Sequence, residues 1–177
     1  MSTQASDDGY LVHFVHGKES GPWGSKISRL AAVARSHDML VESLNYAGMD
    51  DPQARADKLV RSCEAARQAV ILVGSSMGGW VATAASARLK PQALFLLAPA
   101  FYLPAYPPVQ AGCPGSAIEI VHGWGDDIIP FEHSVRFGRE HACTVHLVND
   151  GHRLKDTASQ LGELFDAFLH RVRHSVQ

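Results

Sequence analysis

The sequence predicts an α/β fold in which helices cover both faces of a mostly parallel sheet of about six strands. Two observations carry this. Short apolar or β-branched runs alternate along the chain with longer segments of helical period. Several of the runs, such as Val70-Ile71-Leu72-Val73 and Leu94-Phe95-Leu96-Leu97, are apolar without alternation, the pattern of strands buried on both faces. A length of 177 residues suffices for one core and hardly for two. Residues 10–177 therefore read as a single domain, preceded by a flexible stretch, 1–9.

In chain order, the candidate strands are Tyr10–Val15, Leu40–Leu44, Ala69–Val73, Ala93–Leu97, Ile118–Val121 and Thr144–Val148. Helices are predicted between them. Ser25–Ser36 places Ile27, Leu30, Ala31 and Ala34 on one apolar stripe. Asp51–Arg67 opens with Asp-Pro, an N-cap followed by proline at the first helical position. Met77–Leu89 is rich in alanine and ends before Pro91. Phe131–His141 follows Pro130, and Lys155–Val172 repeats Leu161, Leu164, Phe165, Phe168 and Leu169 at helical spacing. The stretch Pro99–Pro114, with its prolines and aromatics, reads as a loop after a strand.

Composition narrows the partners. With 46% apolar and 19% charged residues and a formal net charge of -2, the chain has no general attraction to nucleic acid or to an anionic membrane surface. No apolar run is long enough to span a bilayer, and the N-terminus has neither the basic nor the apolar region of a secretory signal. The three cysteines, Cys63, Cys113 and Cys143, are far apart and form no CxxC pair. This points to a reducing, cytoplasmic setting and away from a disulfide framework or a cysteine-based metal site. His13 and His16 form an H-x-x-H pair, but strand residues three apart face opposite ways, so no metal site is expected there. No stretch demands a partner chain, so monomer and homodimer both remain open.

Four short segments carry chemistry, each just past a strand. Gly74-Ser75-Ser76-Met77-Gly78 contains G-x-S-x-G between a strand and a helix, the context in which a serine is lifted above the sheet edge. Ser76 is its central residue and Ser75 the weaker candidate; the other reading of such a turn is a phosphate-binding one. His122-Gly123-Trp124-Gly125-Asp126-Asp127 places carboxylates where open α/β sheets bind ligands. Asp126 is the candidate partner for a histidine, and Asp127 the candidate cap of the following helix. Asn149-Asp150-Gly151-His152 supplies that histidine, and its place after the serine and the aspartate is what selects it from the ten in the chain. His16-Gly17-Lys18 follows the first strand; the Lys18 N–H and the Met77 N–H are candidate donors to an oxyanion.

On these residues the sequence resembles the α/β-hydrolase superfamily, and within it the small, lidless esterase-like members. The resemblance runs from His13-Phe14-Val15-His16-Gly17 to Gly151-His152. It implies a minimal α/β-hydrolase fold without a cap domain and a triad of Ser76, Asp126 and His152. It further implies an oxyanion hole from Met77 and Lys18, and no cofactor. The expected reaction is transfer of the acyl group of a small-molecule ester or thioester to water. A binding protein on the same fold, or a hydrolase of amide or carbon–carbon bonds, remains the alternative. Two features depart from the family. The antiparallel strands that begin its full fold have no counterpart here, and the Pro99–Pro114 loop replaces a helix. Phe101 and Tyr102 in that loop either line an acyl pocket or cover the core where the helix was lost. Trp124 flanks the site and Trp80 packs inside. Arg153 either holds a carboxylate of the substrate or pairs with Asp150 or Asp156, and the pairing is the preferred reading.

Overall fold

The computed structural model describes residues 9–175, so all but Gly9 of the stretch 1–9 lies outside the described residues. Six strands, β1 Tyr10–Val15, β2 Leu40–Ser43, β3 Ala69–Ser75, β4 Ala93–Leu97, β5 Ile118–Gly123 and β6 Thr144–Val148, form one sheet in the order β2-β1-β3-β4-β5-β6. Every neighbouring pair is parallel. Among the described residues four helices lie between strands, α1 Ser25–Ser36, α2 Pro52–Cys63, α3 Met77–Leu89 and α4 Phe131–His141, and a fifth, α5 Ala158–His174, follows β6.

The unbroken apolar runs are explained by what covers each face. On β3 and β4, Ile71, Val73, Phe95 and Leu97 pack with Ile27 and Leu30 of α1 and Phe165 and Phe168 of α5. The intervening Leu72, Leu94 and Leu96 pack with Leu59 of α2, Trp80 of α3 and Phe137 of α4. Both sets of strand residues are therefore buried, and the two-residue period of the strand is hidden in composition.

The element boundaries differ from expectation in places with local causes. The second helix ends at Cys63 rather than Arg67; its apolar stripe stops there, and the Ala66 N–H closes a turn on the Cys63 carbonyl at 3.0 Å. The last helix begins at Ala158 rather than Lys155. The Asp150 carboxylate takes both the backbone N–H and the hydroxyl of Thr157 at 2.8 Å, which holds the preceding residues in the loop. Asp127 caps nothing: the residue before α4 is Pro130, with no side-chain cap. No helix among the described residues stands between β4 and the single 3-10 turn Gly115–Ala117.

Strand order reverses at β1, whose neighbours β2 and β3 continue in opposite directions. In open α/β sheets the loops at the carboxyl ends of such strands diverge and leave a crevice. Here those loops carry Gly17-Lys18 and Ser76.

Candidate active site

Ser76 stands on the turn between β3 and α3 with φ 55°, a left-handed conformation that a residue with a side chain adopts only under restraint. The restraint is visible. The Ser76 N–H donates to the Leu97 carbonyl at 2.9 Å, and the Ser76 carbonyl accepts from Gly79 and Ala100 at 2.9 and 3.0 Å. The turn closes so tightly that a Cβ on Gly74 would lie 2.2 Å from the Gly78 carbonyl oxygen, and one on Gly78 would lie 2.0 Å from that of Val15. The motif's glycines are thus required by the close approach of elbow, helix and β1.

Three loops bring the sequence-selected side chains together. His152 Nε2 lies 3.1 Å from Ser76 Oγ, and His152 Nδ1 donates to Asp126 Oδ2 at 2.7 Å. The other oxygen, Asp126 Oδ1, accepts from the amides of Ile128 and Ile129 at 2.9 and 2.8 Å. Burial raises the pKa of the carboxyl, but the Ile129 amide, the His152 ring and the Ile128 amide outweigh it and hold Asp126 below the usual carboxylate value. An ionised carboxylate fixes the imidazole with its proton on Nδ1 and leaves Nε2 free to face the serine.

His122, whose role sequence reasoning did not identify, completes the setting of Asp126. Its Nε2 lies 2.9 Å from Asp126 Oδ2 and 3.0 Å from the Ile129 carbonyl. Both are acceptors, so Nε2 carries the proton and Nδ1 accepts from the Ser134 hydroxyl at 2.7 Å. Burial lowers the pKa of this ring against the pull of Asp126, in keeping with a neutral donor.

Arg55 was also missed, since nothing in an isolated helical arginine marks it. It is 1% exposed. Its Nε donates to the Met49 carbonyl at 2.6 Å, and Nη1 lies 3.3 and 3.2 Å from the carbonyls of His16 and Gly17. His16 accepts the Tyr46 N–H on Nε2 at 3.0 Å, so its Nδ1 is the protonated nitrogen and donates to the Gly17 carbonyl at 2.8 Å. The Gly17–Lys18 peptide is trans, so the two donors on the Gly17 oxygen turn the Lys18 N–H the opposite way. Met77 opens α3, where the first N–H groups have no intrahelical acceptor.

A cavity of about 800 Å³ opens beside Ser76 and His152, with Gly17, Lys18 and Ser75 in its wall. The three expected substrate contacts are not part of it. Phe101 is 1% exposed and stacks on Phe137 with ring centroids 4.2 Å apart. Tyr102 has φ 55°, which directs its ring to α4, where the hydroxyl donates to Glu140 and Arg136 lies over the ring at 4.0 Å. Both residues pack against α4 at the edge of the core, and Ala100, Leu103 and Tyr106 of the same loop line the cavity instead. Trp124 packs its edge against Phe131 with centroids 5.2 Å apart and stands outside the cavity. Trp80 is buried as expected and donates to the Pro107 carbonyl at 2.8 Å. Arg153 makes no ion pair with Asp150 or Asp156 among the described residues; Asp150 is taken up by Thr157 and Gly151, and Arg153 lies in the cavity wall.

Comparison with known proteins bears on the fold and the family. The model of UPF0227, described as an uncharacterised protein family, matches residues 11–106. A structure from Xanthomonas campestris pv. campestris, assigned to the alpha/beta superfamily of hydrolases, is 30% identical with a TM-score of 0.84, covering 92% of this chain and 99% of its own. Est1E from Butyrivibrio proteoclasticus is 16% identical with a TM-score of 0.79, over 96% of this chain and 90% of that one. XC6422 from Xanthomonas campestris, described as an α/β serine hydrolase without a lid, is 19% identical with a TM-score of 0.76, over 96% and 85%. The last two share the fold. No curated protein matches significantly. The chain belongs to the UPF0227 family, within the α/β-hydrolase superfamily.

Proposed function

We propose that this protein is a serine hydrolase that cleaves small esters or thioesters through an acyl-enzyme, in a reducing, cytoplasmic setting and without a cofactor. The observation that carries the reading is the continuous set of contacts from Ser76 Oγ to His152 Nε2 at 3.1 Å and from His152 Nδ1 to Asp126 at 2.7 Å. His152 takes the Ser76 proton as Oγ bonds to the carbonyl carbon. The resulting oxyanion is stabilised by the N–H groups of Met77 and Lys18. Collapse expels the alcohol or thiol, which receives the proton from His152. Water then repeats the sequence, giving its proton to His152 and releasing the acid and free Ser76. Asp126 stays ionised throughout and offsets the charge on the imidazolium.

The test is hydrolysis of p-nitrophenyl esters of increasing acyl length by wild type and Ser76→Ala, with fluorophosphonate labelling of both. Turnover and labelling that are lost together in the variant are the expected result. A folded wild-type protein that neither labels nor turns over any ester leaves a binding role on the hydrolase fold as the better reading.

A further inference from the structure

The lining of the cavity beside Ser76 is of two chemical kinds. One is apolar, with Leu103, Tyr106, Ile128, Ile129, Leu154 and Leu161. The other is cationic: Lys18, Lys26, Arg29, Arg153 and Lys155 contribute to it, against Glu19 alone among acidic residues. The chain as a whole has a formal charge of -2, so this concentration of positive charge is local.

Some cations elsewhere on the molecule are neutralised by ion pairs. Arg88, Arg136 and Arg171 each have an aspartate or glutamate partner. Lys18 has Asp50 at 4.0 Å, with both side chains well exposed. Among the described residues, Lys26, Arg29, Arg153 and Lys155 have no carboxylate within ion-pair distance.

The backbone adds to the same field. Ser25 and Ala158, the first residues of α1 and α5, both stand in the cavity wall. Neither helix has a side-chain cap or an acidic residue in its first turn; the Asp150 carboxylate sits on the Thr157 N–H just before α5, so it is the positive end of α1 that adds to the field.

Lys18, Arg29, Arg153 and Lys155 are exposed, and Lys26 is the half-buried member of the cluster. Its Nζ donates to the Arg153 carbonyl at 3.3 Å, joining α1 to the loop that carries His152. Burial takes its pKa down to about 8, with Asp150 and Asp126 pulling the other way. The protein hydrogen bond of Lys26 is to a carbonyl, so the two carboxylates act on the ammonium only from beyond ion-pair distance and no direct contact offsets its burial.

Building on the acyl-hydrolase reading, we propose that the substrate carries an anionic group, a carboxylate or a phosphate. Lys26 and Arg153 hold that group while the apolar lining takes the uncharged part of the molecule. The cations then serve as the specificity determinant of an otherwise open site.

The test compares kcat/KM for three esters at low ionic strength. These are neutral p-nitrophenyl butyrate, mono-p-nitrophenyl glutarate with a carboxylate on the acyl side, and 4-butyryloxybenzoate with one on the leaving side. At least one charged ester is expected to exceed the neutral one by about tenfold or more. That ratio should fall toward one in the Lys26→Met/Arg153→Met double variant, and in wild type when salt is raised to about 0.5 M. A neutral ester that matches or exceeds both charged ones, or a ratio that survives in the double variant, overturns the proposal. Binding is measured separately from turnover, by calorimetric titration of glutarate and of inorganic phosphate into Ser76→Ala protein with and without the two methionine substitutions. Binding that the substitutions abolish supports the site, and the ligand that binds distinguishes carboxylate from phosphate. No binding of either overturns the anion site even if neutral esters are hydrolysed. Binding by a wild type that hydrolyses no ester keeps the anion site and overturns the acyl-transfer reading.

Discussion

The buried guanidinium of Arg55 lies 3.2 Å from the carbonyl oxygen of Gly17, an oxygen that already receives the His16 ring at 2.8 Å. Two donors on one peptide oxygen determine the plane of the Gly17–Lys18 peptide and with it the direction of the Lys18 N–H. Loss of one oxyanion donor costs about 10²-fold or more in kcat. On the proposed mechanism, in which the Lys18 N–H is such a donor, Arg55→Met leaves it present but loosely aimed and is expected to lower kcat by about tenfold to 10²-fold. KM should change much less. Steady-state kinetics on a p-nitrophenyl ester, beside a melting curve to verify folding, checks this; an equal change in KM alone would assign Arg55 a purely structural part.

Asp126→Asn is expected to reduce kcat by up to about 10⁴-fold while leaving the fold intact. The carboxamide can still accept from Ile128 and Ile129, but it no longer stabilises an imidazolium. Retained activity in a folded Asn variant would remove Asp126 from the mechanism.

The fold should weaken in mild acid. His13, His16 and His122 all have pKa values lowered from 6.5, in each case chiefly by burial. Above 6.5 both folded and unfolded chains hold these rings neutral, and stability is unaffected. Below 6.5 the unfolded chain takes up protons that the folded chain refuses, so stability falls as pH drops toward the lowered values. Each such ring contributes a slope of up to about 1.4 kcal/mol per pH unit. Urea denaturation between pH 7 and 5, above the carboxylate range, measures it; a flat profile would show that the three rings ionise freely in the native state.

Lys26→Met is expected to raise the melting temperature while lowering selectivity for charged esters. It removes a partly buried cation and keeps the length of the side chain. A stabilised variant with reduced specificity is the signature of a residue kept for binding.

Two glycines should respond oppositely to alanine. A Cβ at Gly78 would lie 2.0 Å from the backbone oxygen of Val15, whereas one at Gly162 in α5 meets nothing within 4 Å. Gly78→Ala is expected to destabilise by about 3 kcal/mol, a fall in melting temperature of roughly 6–12 °C. Gly162→Ala should stabilise by up to about 1 kcal/mol through helix propensity. Calorimetry on the pair is the check.

Ser76, Asp126 and His152 were legible because each lies immediately after an apolar run, and a parallel sheet places all such positions on one edge. Their order and neighbours therefore sufficed without any knowledge of distance. Phe101 and Tyr102 were not decidable in the same way, because it is the course of the whole loop that brings both rings against α4. Periodicity says nothing about the direction of an irregular loop.

The sequence by itself thus determined the layered α/β architecture and the residues that meet at its carboxyl edge, since both follow from local periodicity and strand-end position. Only the tertiary structure decided what surrounds them. Arg55 reaches Gly17 across 38 positions of chain, and Lys26 reaches the Arg153 carbonyl across 127. Such contacts depend on how α1 and α2 pack on the sheet, and burial and missing counter-charge exist only once that packing has formed.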